Sequence, residues 1–223
     1  MSAGHQEWRG SVPTGIRKGT DGSERGAAHM LIGREDLLAR LSDLVRDGHH
    51  VLLWGPRGIG KSALIAALHP RSARVIDPLE HMHSHAAAQV LRAMDRGAQF
   101  VAASRSLDRA QLGAVRRFAW RFTTVRVPVL ARLAMRRVVV RECGLAHIPV
   151  GLATDQWVRA TVRIAKGSPG AAIALVRAAA DRCTSTGHLP APAAAQIEAR
   201  IRQEGFTGRQ CSSAHREHHV SRQ

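Results

Sequence analysis

The sequence predicts an α/β fold, a parallel sheet with flanking helices, followed by a small α-helical domain. Three observations predict it. Short apolar runs alternate with helix-period stripes from Leu31 to about Pro128, the pattern of repeated strand–helix–strand units. One apolar run ends in a glycine loop of the phosphate-binding type. From Leu130 onward the strand-like runs stop and only helical patterns remain. The expected organisation is a segment without regular structure at 1–29, an α/β domain at 30–128, a helical domain at 129–204 and a polar, histidine-bearing tail at 205–223.

Each element follows in order. Residues 1–29 are rich in Gly, Ser, Arg and Glu, show no apolar period and read as disordered. Leu37, Leu38, Leu41, Leu44 and Val45 then form a helical stripe ended by Gly48. The strand Val51–Trp54 leads into Gly55-Pro56-Arg57-Gly58-Ile59-Gly60-Lys61-Ser62, and Ala63, Leu64, Ile65, Ala67 and Leu68 continue as a helix that stops near Pro70. All defining positions of G-x-x-x-x-G-K-[ST] are present in the strand–loop–helix context the motif needs. Its glycines let successive N–H groups turn toward phosphate oxygens, and the helix adds the positive end of its dipole. Lys61 would reach the β- and γ-phosphates and Ser62 would ligate Mg²⁺.

The strand Arg74-Val75-Ile76-Asp77 turns acidic at its carboxyl end, where a parallel sheet opens its crevice. Asp77 is therefore a second candidate for Mg²⁺; the plainer reading is a turn aspartate ahead of Pro78. A helix over 86–96 follows, then the strand Gln99–Ala103, which delivers Ser104 and Arg105 to the same edge. A helix from Asp108 to about Ala119 carries Arg116 and Arg117, and the strand Thr123–Val127 ends at Pro128. Helices over 130–143, 154–165, 169–182 and 193–204 complete the chain.

Composition narrows the function classes. At 223 residues with 44% hydrophobic residues the chain can bury a core, but no run approaches the roughly 18–20 apolar residues of a membrane span. The stretch Met1–Met30 has no apolar core behind its charges and does not read as a secretory leader. Cys143, Cys183 and Cys211 are an odd, widely spaced set without a C-x-x-C pair, which fits reduced thiols and a cytoplasmic location. The formal charge is +16, and only Lys18, Lys61 and Lys166 among the 33 basic residues are lysines. Such a field favours a polyanion such as double-stranded DNA, or else is a generic basic surface with an arginine-rich composition. His81, His83 and His85 could share a metal only if extended, and that stretch reads as a helix start.

These pieces, in this order, resemble the AAA+ ATPases among P-loop NTPases, particularly small bacterial members with an origin-recognition-like or transposition-helper-like layout. Ile32-Gly33-Arg34-x-x-Leu37 is similar to the family's element ahead of the first strand, which packs near adenine. Gly55–Ser62 matches Walker A, with Ala63 opening its helix, and Val75-Ile76-Asp77 resembles Walker B. Ala102-Ala103-Ser104-Arg105 is similar to sensor 1, and Arg116 or Arg117 stands where the family carries an arginine finger for a neighbouring subunit. Gly167-Ser168-Pro169-Gly170 resembles the sensor 2 turn of the family's helical lid. The resemblance implies ATP with Mg²⁺ as ligands, a site between sheet edge and lid, hydrolysis, a homo-oligomer, and a DNA or protein partner.

Three departures qualify it. Only 16 positions separate Lys61 from Asp77, so one edge strand and its helix are missing. Pro78 stands where the family places the water-polarising glutamate, and the nearest carboxylate is Glu80. The sensor 2 turn ends in Gly170 rather than arginine, leaving Arg163, Lys166 or Arg177 as substitutes. The alternative implied is a switch that binds ATP without hydrolysing it.

Overall fold

The computed structural model describes residues 16–18, 31–68, 70, 73–108, 110, 112–149 and 151–197. The chain divides into two compact units, residues 1–128 and 129–223.

The first unit is built on a five-stranded sheet of order β1-β3-β4-β2-β5. Its strands are β1 (Ile16–Lys18), β2 (His50–Trp54), β3 (Arg74–Ile76), β4 (Phe100–Ser104) and β5 (Phe122–Arg126). β2 pairs in parallel with β4 and β5, and β3 pairs in parallel with β4. Three helices accompany them: α1 (Glu35–Arg46), α2 (Lys61–Leu68) and α3 (Ser84–Asp95).

The central strands read as unbroken apolar runs because both of their faces are covered. Leu52, Phe100, Ala102 and Phe122 point into one core with Val90 and Met94 of α3. Val51, Leu53, Val101, Ala103 and Val125 point into the other with Leu41 of α1 and Leu64 and Ile65 of α2. Successive strand side chains alternate between the two cores, as the pleat requires.

Strand order has a functional consequence. From β2 the chain passes beyond β4 to reach β3, and from β4 it returns past β2 to reach β5. The direction of progression therefore reverses between β2 and β4, and at such a switch point a parallel sheet opens a crevice at its carboxyl edge.

Two expectations differ from the structure. Within residues 1–29, expected to lack regular structure, Ile16–Lys18 forms a strand antiparallel to β3, with Ile16 opposite Ile76 and Lys18 opposite Arg74. The strand pairs the outer backbone groups of β3, and an edge left unpaired is a ready template for another strand. The expected helix from Asp108 to Ala119 is replaced, among the described residues, by two 3-10 turns, Gly113–Arg117 and Ala119–Arg121. Gly113 adopts a positive φ of 52°, which an α-helix does not accommodate.

The second unit packs α4 (Arg132–Leu145), α5 (Asp155–Ala165) and α6 (Pro169–Thr186) around Met135, Val139, Val158, Leu175 and Val176. Residues 192–197 are also helical; the rest of the expected 193–204 helix and the tail lie outside the described residues. Thr154 caps α5 by accepting from Trp157 N at 3.3 Å. Ser168 caps α6 by accepting from Ala171 N at 3.4 Å, with Pro169 in the first turn, an ordinary helix-start chemistry.

The turn between α5 and α6 admits only glycine at 167. Its φ is +78°, and an added β-carbon would lie 2.8 Å from Val129 Cβ and 3.0 Å from the Leu130 carbonyl oxygen. Its own carbonyl accepts from Leu130 N at 2.9 Å. A Gly167→Ala substitution is expected to destabilise the second unit by about 2–4 kcal/mol, combining left-handed strain with overpacking. Hydrogen exchange should show lost protection in α4 and α6 while β2 and β4 keep theirs.

Candidate functional site

The site grows from the carboxyl ends of β2, β3 and β4. Trp54 closes β2 opposite Ser104 of β4, and the chain then turns through Gly55–Gly60 into α2 at Lys61. Gly55 N donates to Ser104 O at 3.2 Å, which fastens the first residue of the loop to the neighbouring strand. Gly55, Gly58 and Gly60 all have positive φ, at 152°, 78° and 102°. A side chain at Gly55 would meet Val127 O at 3.2 Å. Pro56, Arg57, Gly58 and Ser62 face solvent, whereas Ile59 is buried and anchors the loop in the core beneath it.

Lys61 starts α2 and folds back over the loop. Its Nζ donates to Gly55 O at 2.6 Å and Pro56 O at 3.0 Å. Burial pushes its ammonium below the ordinary lysine value; Glu80 and Asp77 pull it upward and Arg105 opposes them. The four charged groups thus share one small region at the sheet edge. Ser62 and Ala63 follow Lys61 in the first turn of α2.

Glu80 is the carboxylate that proximity in sequence to Asp77 only suggested. A 3-10 turn, Leu79–His81, follows Asp77 and Pro78 and buries Leu79 in the sheet core. That anchor swings Glu80 toward the end of β4. Glu80 Oε1 lies 3.2 Å from Ser104 Oγ and also accepts from Arg105 N. Its other oxygen, Oε2, is buried without a hydrogen-bond partner among the described residues. A buried orphan carboxylate oxygen is uncommon, because desolvating it unpaired costs about 1–3 kcal/mol or more. Ser104 is fully buried, and its hydroxyl also contacts Ser106 O at 2.6 Å.

The family resemblance implies Ile32 and Gly33 as adenine neighbours; the structure places them in the turn just ahead of α1. What it adds is Arg34. This residue is 5% exposed, and its guanidinium donates to Ile59 O in the phosphate loop at 3.3 Å and to Pro128 O at the end of the unit. Burial pushes its pKa down. A buried arginine bracing the loop from below could not be read from a helix-start motif, since its partners are backbone carbonyls far along the chain.

Lys61, Asp77, Glu80, Ser104 and the loop come together. Arg116 and Arg117, expected to reach a neighbouring subunit rather than this group, are exposed on the 3-10 turn Gly113–Arg117, beside α3. In the second unit, the substitute Arg177 donates through Nε to Glu142 Oε1 at 2.8 Å.

The arrangement fits a nucleoside triphosphate with Mg²⁺. The loop amides and Lys61 suit a polyphosphate, Ser62 and Asp77 offer oxygen ligands for Mg²⁺, and the orphan Glu80 oxygen offers an acceptor. No helix among the described residues is long and apolar enough to cross a membrane.

Comparison with solved structures shows the same fold in AAA+ proteins of different tasks. The Holliday junction branch migration motor RuvB of Thermotoga maritima matches with 17% identity, a TM-score of 0.53 and coverage of 75% of this chain and 68% of that one. Aeropyrum pernix ORC1 in complex with DNA matches with 14% identity and a TM-score of 0.60, over 85% of this chain and 70% of that one. Hsp104 of S. cerevisiae, in a casein complex, matches with 15% identity and a TM-score of 0.56, over 70% of this chain and 38% of that one. No curated protein sequence matches the chain significantly. The AAA ATPase domain family matches residues 30–203, and with the phosphate loop, strand order and helical second unit in place, the chain belongs to that family.

Proposed function

We propose that the protein hydrolyses ATP, with Glu80 in the role that the residue after the Walker B aspartate has elsewhere in the family. The observation that carries this reading is the Glu80 carboxylate, held on Ser104 and Arg105 with its second oxygen buried and unpartnered near Lys61. A water held by the Glu80 carboxylate, once that side chain turns toward the bound phosphates, would attack the γ-phosphorus while the bond to the ADP oxygen breaks, and Glu80 would take the water's proton. The loop amides and Lys61 hold the phosphates. Mg²⁺, held by Ser62 and Asp77, would supply charge neutralisation on the phosphate oxygens.

The same reading makes the ATPase the motor or timer of a larger assembly, built from copies of this chain and linked to DNA or a protein partner. The basic excess of +16 and the DNA complex of the structurally similar ORC1 support the DNA link. One observation favours a second reading, a switch that binds ATP without turnover: proline follows Asp77, and Arg177 is engaged by Glu142.

Two variants test the chemistry. Lys61→Ala should weaken MgATP binding by at least about 10- to 100-fold, the value of one or more charge-assisted hydrogen bonds; unchanged binding in a calorimetric titration would sink the nucleotide site. Glu80→Gln should keep ATP affinity while slowing phosphate release by about 100-fold or more. Phosphate release equal to the parent's would remove Glu80 from the reaction, and a parent that binds ATP tightly with no release would establish the switch.

Lys61 also predicts a pH dependence. Its pKa in the free protein is depressed, so the charged form is lost as pH rises through a value below the ordinary 10.5. A bound polyphosphate favours the charged form and raises the pKa again. Affinity for ATP should therefore be full at neutral pH and fall on the alkaline side, starting below 10.5. Titrations across that range should show the fall in the parent and not in Lys61→Met.

A further inference from the structure

Away from the phosphate loop, α3 and the 3-10 turn Gly113–Arg117 enclose an open cleft of about 400 Å³. Its floor is made of small and apolar side chains, Ala87, Ala88, Leu91, Ala114 and Phe118. Such a floor lets a ligand approach the backbone closely. Arg116 and Arg117 stand on its rim, both exposed. Arg92, also exposed, follows Ala88 by one turn of α3 and so shares its face. No carboxylate is among the described residues that line the cleft; the nearby Asp95 is bridged by Arg121 at 2.6 Å.

Trp120 lies outside the cleft lining, on the next 3-10 turn, and is tied to the backbone of the lining residue Arg117. It is 77% exposed, the most exposed large apolar side chain among the described residues. It is nonetheless held in place: its Nε1 donates to Arg117 O at 3.2 Å, and the Arg121 guanidinium lies 5.4 Å from the ring centroid. An indole fixed by a backbone hydrogen bond and a cation–π contact, yet presented to solvent, is a prepared stacking surface. Exposing it has no return in core packing.

We propose that this cleft is a binding surface for single-stranded nucleic acid, with phosphates on Arg92, Arg116 and Arg117 and an unpaired base stacked on Trp120. Guanidinium groups supply the sequence-independent electrostatic part of such binding, and an aromatic face accepts any base. An acidic peptide would satisfy the arginines but leave the indole unused, and a duplex offers no free base face to it. The inference deepens the DNA-linked part of the proposed function and rests on that part alone; it requires nothing of Glu80.

Fluorescence-anisotropy titration with a labelled single-stranded oligonucleotide tests it, on the full chain at several salt concentrations. Trp120→Ala should weaken binding about 5- to 150-fold, and Trp120→Phe should restore most of it because stacking is retained. The double variant Arg116→Ala/Arg117→Ala should lower the slope of log affinity against log salt by about 1.4, at roughly 0.7 per lost phosphate contact. A duplex of the same sequence should bind more weakly. MgATP affinity, measured on Trp120→Ala and expected to be unchanged, separates failure of this surface from failure of the phosphate site. Parent-like oligonucleotide affinity in Trp120→Ala would overturn the proposal, as would equal competition by poly-glutamate of matched charge. Loss of self-association in these variants, with oligonucleotide binding intact, would instead assign the surface to contact with a second copy of the chain.

Discussion

The structure of the first unit depends on how closely the phosphate loop can approach the sheet. Gly55 donates its N–H to the Ser104 carbonyl and lies against the Val127 carbonyl, with a backbone conformation that side chains rarely adopt. That contact joins three strands at one point: β2, which precedes the loop; β4, which accepts its first hydrogen bond; and β5, whose continuation walls it in. Because β2 and β4 flank the point where the strand order reverses, the same contact sets the floor of the crevice. Ile59 and Arg34 complete the support from below, one by apolar burial and the other by spanning two carbonyls.

A loop held in this way makes demands on the groups around it. Lys61 is kept over the loop by the Gly55 and Pro56 carbonyls, so the loop's own backbone fixes the position of its charge. Glu80 obeys the same logic by a different route. Proline follows Asp77, and the 3-10 turn that comes next carries the Glu80 carboxylate to Ser104 because Leu79 is buried. Core packing thus orients a polar group whose own bonds leave one oxygen without a partner.

The outer faces of the unit show the opposite economy. Arg116, Arg117 and Trp120 occupy two short 3-10 turns in place of the continuous helix their sequence suggests. The first turn sets Arg116 and Arg117 on a cleft against α3, and the second holds Trp120 on the Arg117 carbonyl, whereas an α-helix would distribute the three around its circumference at about 100° per residue. At the other edge, the chain covers β3 with a strand of its own, Ile16–Lys18. The reversal of strand order is unaffected by that edge because the switch point lies between β2 and β4.

The amino-acid sequence by itself determined the phosphate loop, the alternation of elements that makes a parallel sheet, the change to an all-helical second half and the identities of Lys61, Ser62, Asp77 and Ser104 as site candidates. These rest on local signals: glycine spacing, apolar periodicity and a polar residue at each strand's carboxyl end. Tertiary structure alone decided which distant groups meet. Glu80 on Ser104, Arg34 beneath Ile59 and the strand Ile16–Lys18 on β3 all join segments far apart in the chain, and the partners of Arg34 and of that strand are backbone atoms, which carry no residue-specific signal. Tertiary structure also set the turn on which Arg116 and Arg117 stand, through the positive φ of Gly113 and the burial of Val115 and Phe118. Local pattern fixes what each segment can form; long-range packing and the satisfaction of buried polar groups fix which of those segments share a site.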